Sequence, residues 1–159
     1  NASAIVSRDA AAIDRLIEVS VLNKADVVRQ DEKEAGVRAL LNFGHSFGHA
    51  LESETGYSEF LHGEAVAIGM VTAARLSESR RMCEPGVTER LSTLLEHFGL
   101  PTRIPTHLSV ANLADALALD KKAVASGLRL ILVEAIGEAV IDSDSTNQQI
   151  MDAIQASQG

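Results

Sequence analysis

The sequence predicts a mainly α-helical domain of about six helices, with a small β-hairpin near the C-terminus. Three observations predict it. Apolar residues recur at three- and four-residue spacing along most of the chain. Aromatic residues are scarce, with four Phe, one Tyr and no Trp, so Leu, Ile, Val and Ala must build the core, a composition that favours helices. Only one run, Leu128 to Val133, reads as a strand, and Gly137 turns it back into Ala139 to Ile141. A chain of 159 residues suits a single domain of ordinary size and can bury about 70% of its unfolded surface.

Asp9 is a fitting N-cap for a first helix to about Arg29, in which Ile13, Leu16, Ile17, Val21, Leu22, Ala25 and Val28 repeat at helical spacing. Asn1-Ala2-Ser3 is set aside from the fold. A charged turn follows, from Gln30 to Gly36, and reads as a solvated loop. A second helix is expected to start near Val37 or Leu40 and to end at the turn Thr55-Gly56-Tyr57-Ser58. Gly44 and Gly48 lie one turn apart on it. Glycine inside a helix costs up to about 1 kcal/mol against Ala, so the pair suggests close approach by another backbone or a ligand.

The third helix, about His62 to Arg81, is small and apolar on most sides and should be buried centrally. Pro85-Gly86 marks the next turn. A fourth helix, about Val87 to Phe98, carries Leu91, Leu94, Leu95 and Phe98, and Gly99 stops it. Pro101 to Pro105 is a connector. Ser109 caps a short fifth helix through Leu119, and Asp120-Lys121-Lys122 is read as a loop. A last helix, about Thr146 to Ala156, docks Ile150 and Ile154.

The formal charge is −8 and the basic pairs Arg80-Arg81 and Lys121-Lys122 are small, which argues against phosphate-led binding of nucleic acid. No apolar run approaches the roughly 20 residues of a membrane span, and no signal peptide is visible. A single cysteine, Cys83, excludes an internal disulfide, fits a reducing cytoplasm, and reads as a buried structural thiol.

The stretch Leu40 to Met70 concentrates the chemistry. It holds His45, His49 and His62, with Asn42, Glu52 and Glu64. His45 and His49 are four apart and share a helix face, and the turn after Thr55 can fold His62 back beside them. Imidazoles on facing helices can hold a divalent metal. The spacing alone leaves that open, because histidine pairs four apart also occur on solvated faces, and Ser46 stands where a zinc protease would need Glu. Glu64 is expected to stabilise its helix start. His97 and His107 fall away from the cluster, at the surface.

The motif RALLNFGHSFGHALE, followed by LHGEAVAIGM, resembles the C-terminal half of bacterial 3-dehydroquinate synthase. The likeness extends to Lys24-Ala25-Asp26-Val27-Val28, to Asp31 through Glu34 before Arg38, to Leu119 through Lys122, and to Arg129 through Leu132. That family converts 3-deoxy-arabino-heptulosonate 7-phosphate to 3-dehydroquinate and phosphate in the shikimate pathway, with bound NAD and zinc or cobalt. The resemblance implies His45 and His62 as metal ligands, and His49 against the substrate phosphate or aiding its elimination. It implies Lys24, Arg38 and Asn42 as substrate-binding, Lys24 and Glu34 as catalytic with Glu34 in the proton-transfer network, and one of Lys121 or Lys122 on the substrate's anionic groups. Lysine and arginine suit a carboxylate and a phosphate. Arg38, Asn42, His45 and His49, spaced by four, three and four, are expected to form a stripe along one helix and one wall of a pocket.

The family's NAD-binding domain and its third metal ligand, a Glu upstream of the first helix, have no counterpart in this sequence. The chain is therefore expected to be a single helical metal- and substrate-binding domain over 1–159, with no cofactor-binding residue for NAD, inactive alone, and a possible homodimer. Alternatives are a domain of a deoxy-inosose or valiolone synthase, the metal-dependent glycerol dehydrogenase group, and a non-enzymatic helical interaction module. The anion-binding set of Lys24, Arg38 and Asn42 argues against the glycerol dehydrogenases.

Overall fold

Helical periodicity and glycine-bearing turns produce the architecture of this chain, described by a computed structural model over residues 1–33, 36–123 and 128–159, with backbone alone for 120–123. The elements are α1 (Ala2–Val6), α2 (Ala10–Gln30), a 3-10 helix (Val37–Asn42), α3 (His45–Glu54), α4 (His62–Ser79), α5 (Val87–His97), α6 (Val110–Ala123), β1 (Leu130–Ala135), β2 (Glu138–Asp142) and α7 (Asn147–Ala156). This is the mainly helical domain with a C-terminal hairpin that the sequence predicts. The chain forms two compact units, Asn1–Leu41 and Asn42–Gly159.

In the first unit, Asp9 caps α2 as expected, its Oδ1 accepting from the Ala12 N–H at 2.9 Å. No residue of α2 is buried, and Leu16, Ile17, Val21 and Leu22 are all exposed. The Asp31 carboxylate closes the charged segment by accepting from the N–H groups of Gly36 at 2.7 Å and Arg38 at 3.0 Å. The Arg38 guanidinium donates to the Glu32 carbonyl at 2.8 Å. Glu34 lies outside the described residues. The sequence does not predict α1, which takes in Ala2 and Ser3 of the chain start and runs on to Val6.

The second unit is organised around α4, buried on most sides as its composition predicts: Ala65, Ile68, Val71, Ala74 and Leu76 are each at most 1% exposed. Phe47 and Leu51 of α3, Leu113 and Leu117 of α6, Leu130 and Leu132 of β1, and Ile150 and Ile154 of α7 complete the core. Ser77 ties α4 to the hairpin. Its hydroxyl donates to the Ala73 carbonyl at 2.8 Å and accepts from the Val133 N–H at 2.9 Å. The strands pair antiparallel, with an irregularity between Val133 and Ala135.

Four expectations are corrected. Residues 37 to 54 are not one helix. A 3-10 turn ends at Asn42, and Gly44, at φ +82°, breaks the chain before α3 starts at His45. The stripe of Arg38, Asn42, His45 and His49 therefore does not run along a single helix. Asp120-Lys121-Lys122 is not a loop but continues α6, although the side chains of Lys121 and Lys122 lie outside the described residues. The first strand begins at Leu130 rather than Leu128. Cys83 is half-buried rather than buried. Partial burial, with Glu78 and Glu84 nearby, still pushes its thiol up, away from reactivity.

The end of α4 is pinned by a charged network. Arg80 donates to Asp142 at 2.6 Å and to the Ser145 hydroxyl at 2.7 Å, and Ser145 donates to Asp142 from its backbone N–H and its hydroxyl. Burial pushes the Asp142 carboxyl up, but hydrogen bonds from Arg80 and Ser145 and the charge of Arg80 outweigh it and hold the group below its ordinary value. A folded-state value below the unfolded one gives stability that is complete above about pH 4 and drains away as pH falls through the folded value. Arg80→Ala is expected to destabilise the chain by about 2 kcal/mol at neutral pH, because a buried carboxylate loses its charged partner. The acid limb of its stability-versus-pH curve should flatten, as read by urea unfolding between pH 2 and 7.

Candidate metal centre

Two helix starts bring the chemistry together. His45 is the first residue of α3, His49 lies one turn further on, and His62 is the first residue of α4. The close crossing of α3 and α4 follows from glycine. A Cβ on Gly48 would lie 3.2 Å from the backbone of Ala65 and Val66, and one on Gly69 would overlap the Gly44 carbonyl oxygen and stand 2.8 Å from the Gly48 nitrogen. The inference of close approach at Gly44 and Gly48 holds, and the object approached is the backbone of α4.

That crossing places all three imidazoles in mutual reach. Ring centroids are 5.8 Å apart for His45 and His49, 5.4 Å for His45 and His62, and 5.8 Å for His49 and His62. The planes of His49 and His62 are 27° apart, while His45 stands edge-on to both. His45 is half-buried; His49 and His62 are exposed. They do not face apart, as a helical module with incidental histidines would allow.

A carboxylate joins them. Glu52 is buried at 7% exposure, and its two oxygens lie 3.1 and 3.3 Å from His62 Nδ1. Among the described residues, ligand atoms of His49, Glu52 and His62 all lie within 4.8 Å of one another. An ion with bonds of about 2.0–2.2 Å to nitrogen and oxygen holds tetrahedral donors roughly 3.3–3.6 Å apart, so these atoms would have to close by more than about 1 Å; the donor types suit a divalent metal such as zinc or cobalt, and His45 is not in this group. Ser46, His49, Glu52, Tyr57 and His62 line an open cleft of about 550 Å³ in which a small ligand could sit. Glu64, by contrast, accepts from the Leu61 N–H at 2.8 Å and caps α4, the structural role expected of it.

Asn42 is exposed at the start of the second unit. Lys24, exposed on α2, and Arg38, half-buried in the 3-10 turn, belong to the first unit. Glu34 and the Lys121 and Lys122 side chains lie outside the described residues. His97 and His107 are exposed, and His107 pairs with Glu59 at 3.2 Å. The residue left without a role by sequence reasoning is Glu52. Its signal was present: His45, His49 and Glu52 are spaced by four and three, one continuous face of α3.

A family model described as 3-dehydroquinate synthase C-terminal matches residues 1–123. The 3-dehydroquinate synthase of Xanthomonas campestris pv. campestris (strain 8004) is 46% identical over 156 residues, covering 95% of this chain and 42% of the relative. That of Acidithiobacillus ferrooxidans (strain ATCC 53993 / BNL-5-31) is 44% identical over 153 residues, covering 96% and 42%. The chain thus spans well under half the length of these curated relatives. Among solved structures, 2-epi-5-epi-valiolone synthase from Streptomyces hygroscopicus subsp. jinggangensis 5008, with NAD+ and Zn2+ bound, superposes with a TM-score of 0.84 at 26% identity, covering 98% of this chain and 43% of that one. A 2-deoxy-scyllo-inosose synthase complexed with carbaglucose-6-phosphate, NAD+ and Co2+ gives a TM-score of 0.77 at 22% identity, covering 92% and 41%, a likeness of fold.

Proposed function

The chain belongs to the 3-dehydroquinate synthase C-terminal family, and from that premise we propose that it is the metal- and substrate-binding domain of an enzyme that converts 3-deoxy-arabino-heptulosonate 7-phosphate to 3-dehydroquinate and phosphate. The observation that carries this reading is the convergence of His45, His49 and His62 within 5.8 Å of one another at the α3–α4 crossing. His45 and His62 hold the divalent metal, zinc or cobalt. When bound, the ion supplies Lewis-acid polarisation of a substrate hydroxyl or carbonyl. His49 faces the substrate phosphate, where its imidazole can hydrogen-bond the leaving oxygen and carry a proton. Lys24, Arg38, Asn42 and one of Lys121 or Lys122 bind the substrate's anionic and hydroxyl groups, and Lys24 and Glu34 assist proton transfer. NAD and the third metal ligand come from the remainder of the enzyme, a nucleotide-binding domain that is this chain's partner; this chain is inactive alone and works in a cytoplasmic, dimeric enzyme.

The test is phosphate release from the heptulosonate phosphate by the enzyme that contains this chain, with NAD and Zn2+ supplied. The expected product is 3-dehydroquinate. Absence of phosphate release, with a valiolone or deoxy-inosose formed from another sugar phosphate instead, would assign the chain to a different cyclase. Arg38→Ala and Lys24→Ala are each expected to raise KM about 10- to 100-fold, the loss of one charge-assisted hydrogen bond of about 1.5–3 kcal/mol, and Lys24→Ala should lower kcat as well, because Lys24 also assists proton transfer. Initial-rate kinetics against substrate concentration measure it.

A further inference from the structure

We propose that Glu52 is a positioning residue for the metal centre: it fixes the His62 ring as its Nδ1–H tautomer and so presents Nε2 to the ion. The proposal rests on His62 being a metal ligand. Three observations support it. Glu52 is one of the few charged residues in the core, and a buried carboxylate is costly unless it is partnered. Both of its oxygens are within 3.3 Å of one atom, His62 Nδ1. The His62 side chain is 57% exposed, against 9% for Glu52, so packing alone does not hold the ring.

A carboxylate cannot donate when ionised, so the Nδ1 of a neutral ring must carry the proton in this contact. The Nε2 lone pair is then free to ligate. A ligating imidazole commonly gives its other N–H to a carboxylate, which fixes ring orientation and raises ligand basicity. Glu52 can do this from a rigid place, because it sits on α3 with Leu51 and Phe47 packed in the core on the same helix. The helix that carries His45 and His49 thus also aims the third imidazole, which stands on α4.

The test has two readouts. The first is the tautomer of His62 in the metal-free chain at pH 8.5, from long-range ¹H–¹⁵N correlation spectra assigned with His62→Ala. The wild type is expected to show Nδ1–H. Glu52→Ala should shift the ring toward Nε2–H. Glu52→Gln, which preserves size and packing and keeps an acceptor, should retain part of the Nδ1–H population. The second is Co2+ affinity followed by visible absorption. Glu52→Ala should weaken binding about 10- to 100-fold without altering the shape of the cobalt spectrum, and Glu52→Gln should fall between it and the wild type.

A wild-type His62 in the Nε2–H form, or a tautomer unmoved by either substitution, overturns the proposal. So does a changed cobalt spectrum in the Glu52 variants, which would make Glu52 a direct ligand. If His62→Ala leaves cobalt binding intact, it is the metal reading that fails, and the tautomer readout still judges the grip of Glu52 on the ring.

Discussion

His62→Ala is expected to lower the Zn2+ or Co2+ affinity of the chain by about 100-fold or more, and to reduce kcat/KM of the enzyme containing it by about 10³-fold or more. The reason is the donor count. A catalytic metal keeps about three protein ligands and an open position, so loss of one imidazole removes a large part of the binding energy. His45→Ala should behave alike, since its ring lies 5.4 Å from that of His62 across the same crossing. His49→Ala should separate from both: metal retained, but kcat reduced about 10²- to 10⁴-fold, the range for a lost proton-transfer group. Calorimetric metal titration beside steady-state rates distinguishes the two patterns. Equal loss of metal in all three variants would show His49 to be a ligand as well.

Gly69→Ala is expected to cost about 3 kcal/mol or more, enough to abolish folding in a marginally stable domain. A Cβ there overlaps the Gly44 carbonyl oxygen and crowds the Gly48 nitrogen, and both obstacles are backbone. Relief requires α3 and α4 to separate, so any folded fraction should also lose metal. Gly48→Ala, with its nearest contacts at 3.2 Å, should cost less, about 1 kcal/mol. Gly63 offers a control on α4, since a Cβ there meets nothing within 4 Å. Gly63→Ala should leave stability unchanged or slightly raised, because alanine loses less backbone entropy in a helix. Thermal unfolding of the three variants side by side checks the order.

Much of this was legible in the chain. Helical spacing announced α2, α4 and α7, and Gly137 announced the hairpin. Asp9 reads correctly as a helix cap and Glu64 as stabilising a helix start because both effects are local, decided by residues three positions away. The break at Gly44 was not legible. Its neighbours Arg38, Asn42, His45 and His49 keep helical spacing, and the need for glycine there comes partly from Met70, whose backbone nitrogen would lie 2.6 Å from a Cβ at Gly44. Such a requirement exists only once α4 has folded against α3. Glu52 was hidden for a related reason. Its spacing from His49 was visible, but its burial and its contact with a ring ten residues away depend on the turn between the helices.

The cluster itself ties sequence to function most closely, and one measurement addresses it directly. Crystals of the enzyme containing this chain, grown with Zn2+, can be measured at the zinc absorption edge. The predicted result is a single anomalous peak about 2.0–2.1 Å from a ring nitrogen of both His45 and His62, with Glu52 hydrogen-bonded behind His62. A peak bonded to Glu52 and His49 without His45, or no zinc at the α3–α4 crossing, would contradict the account.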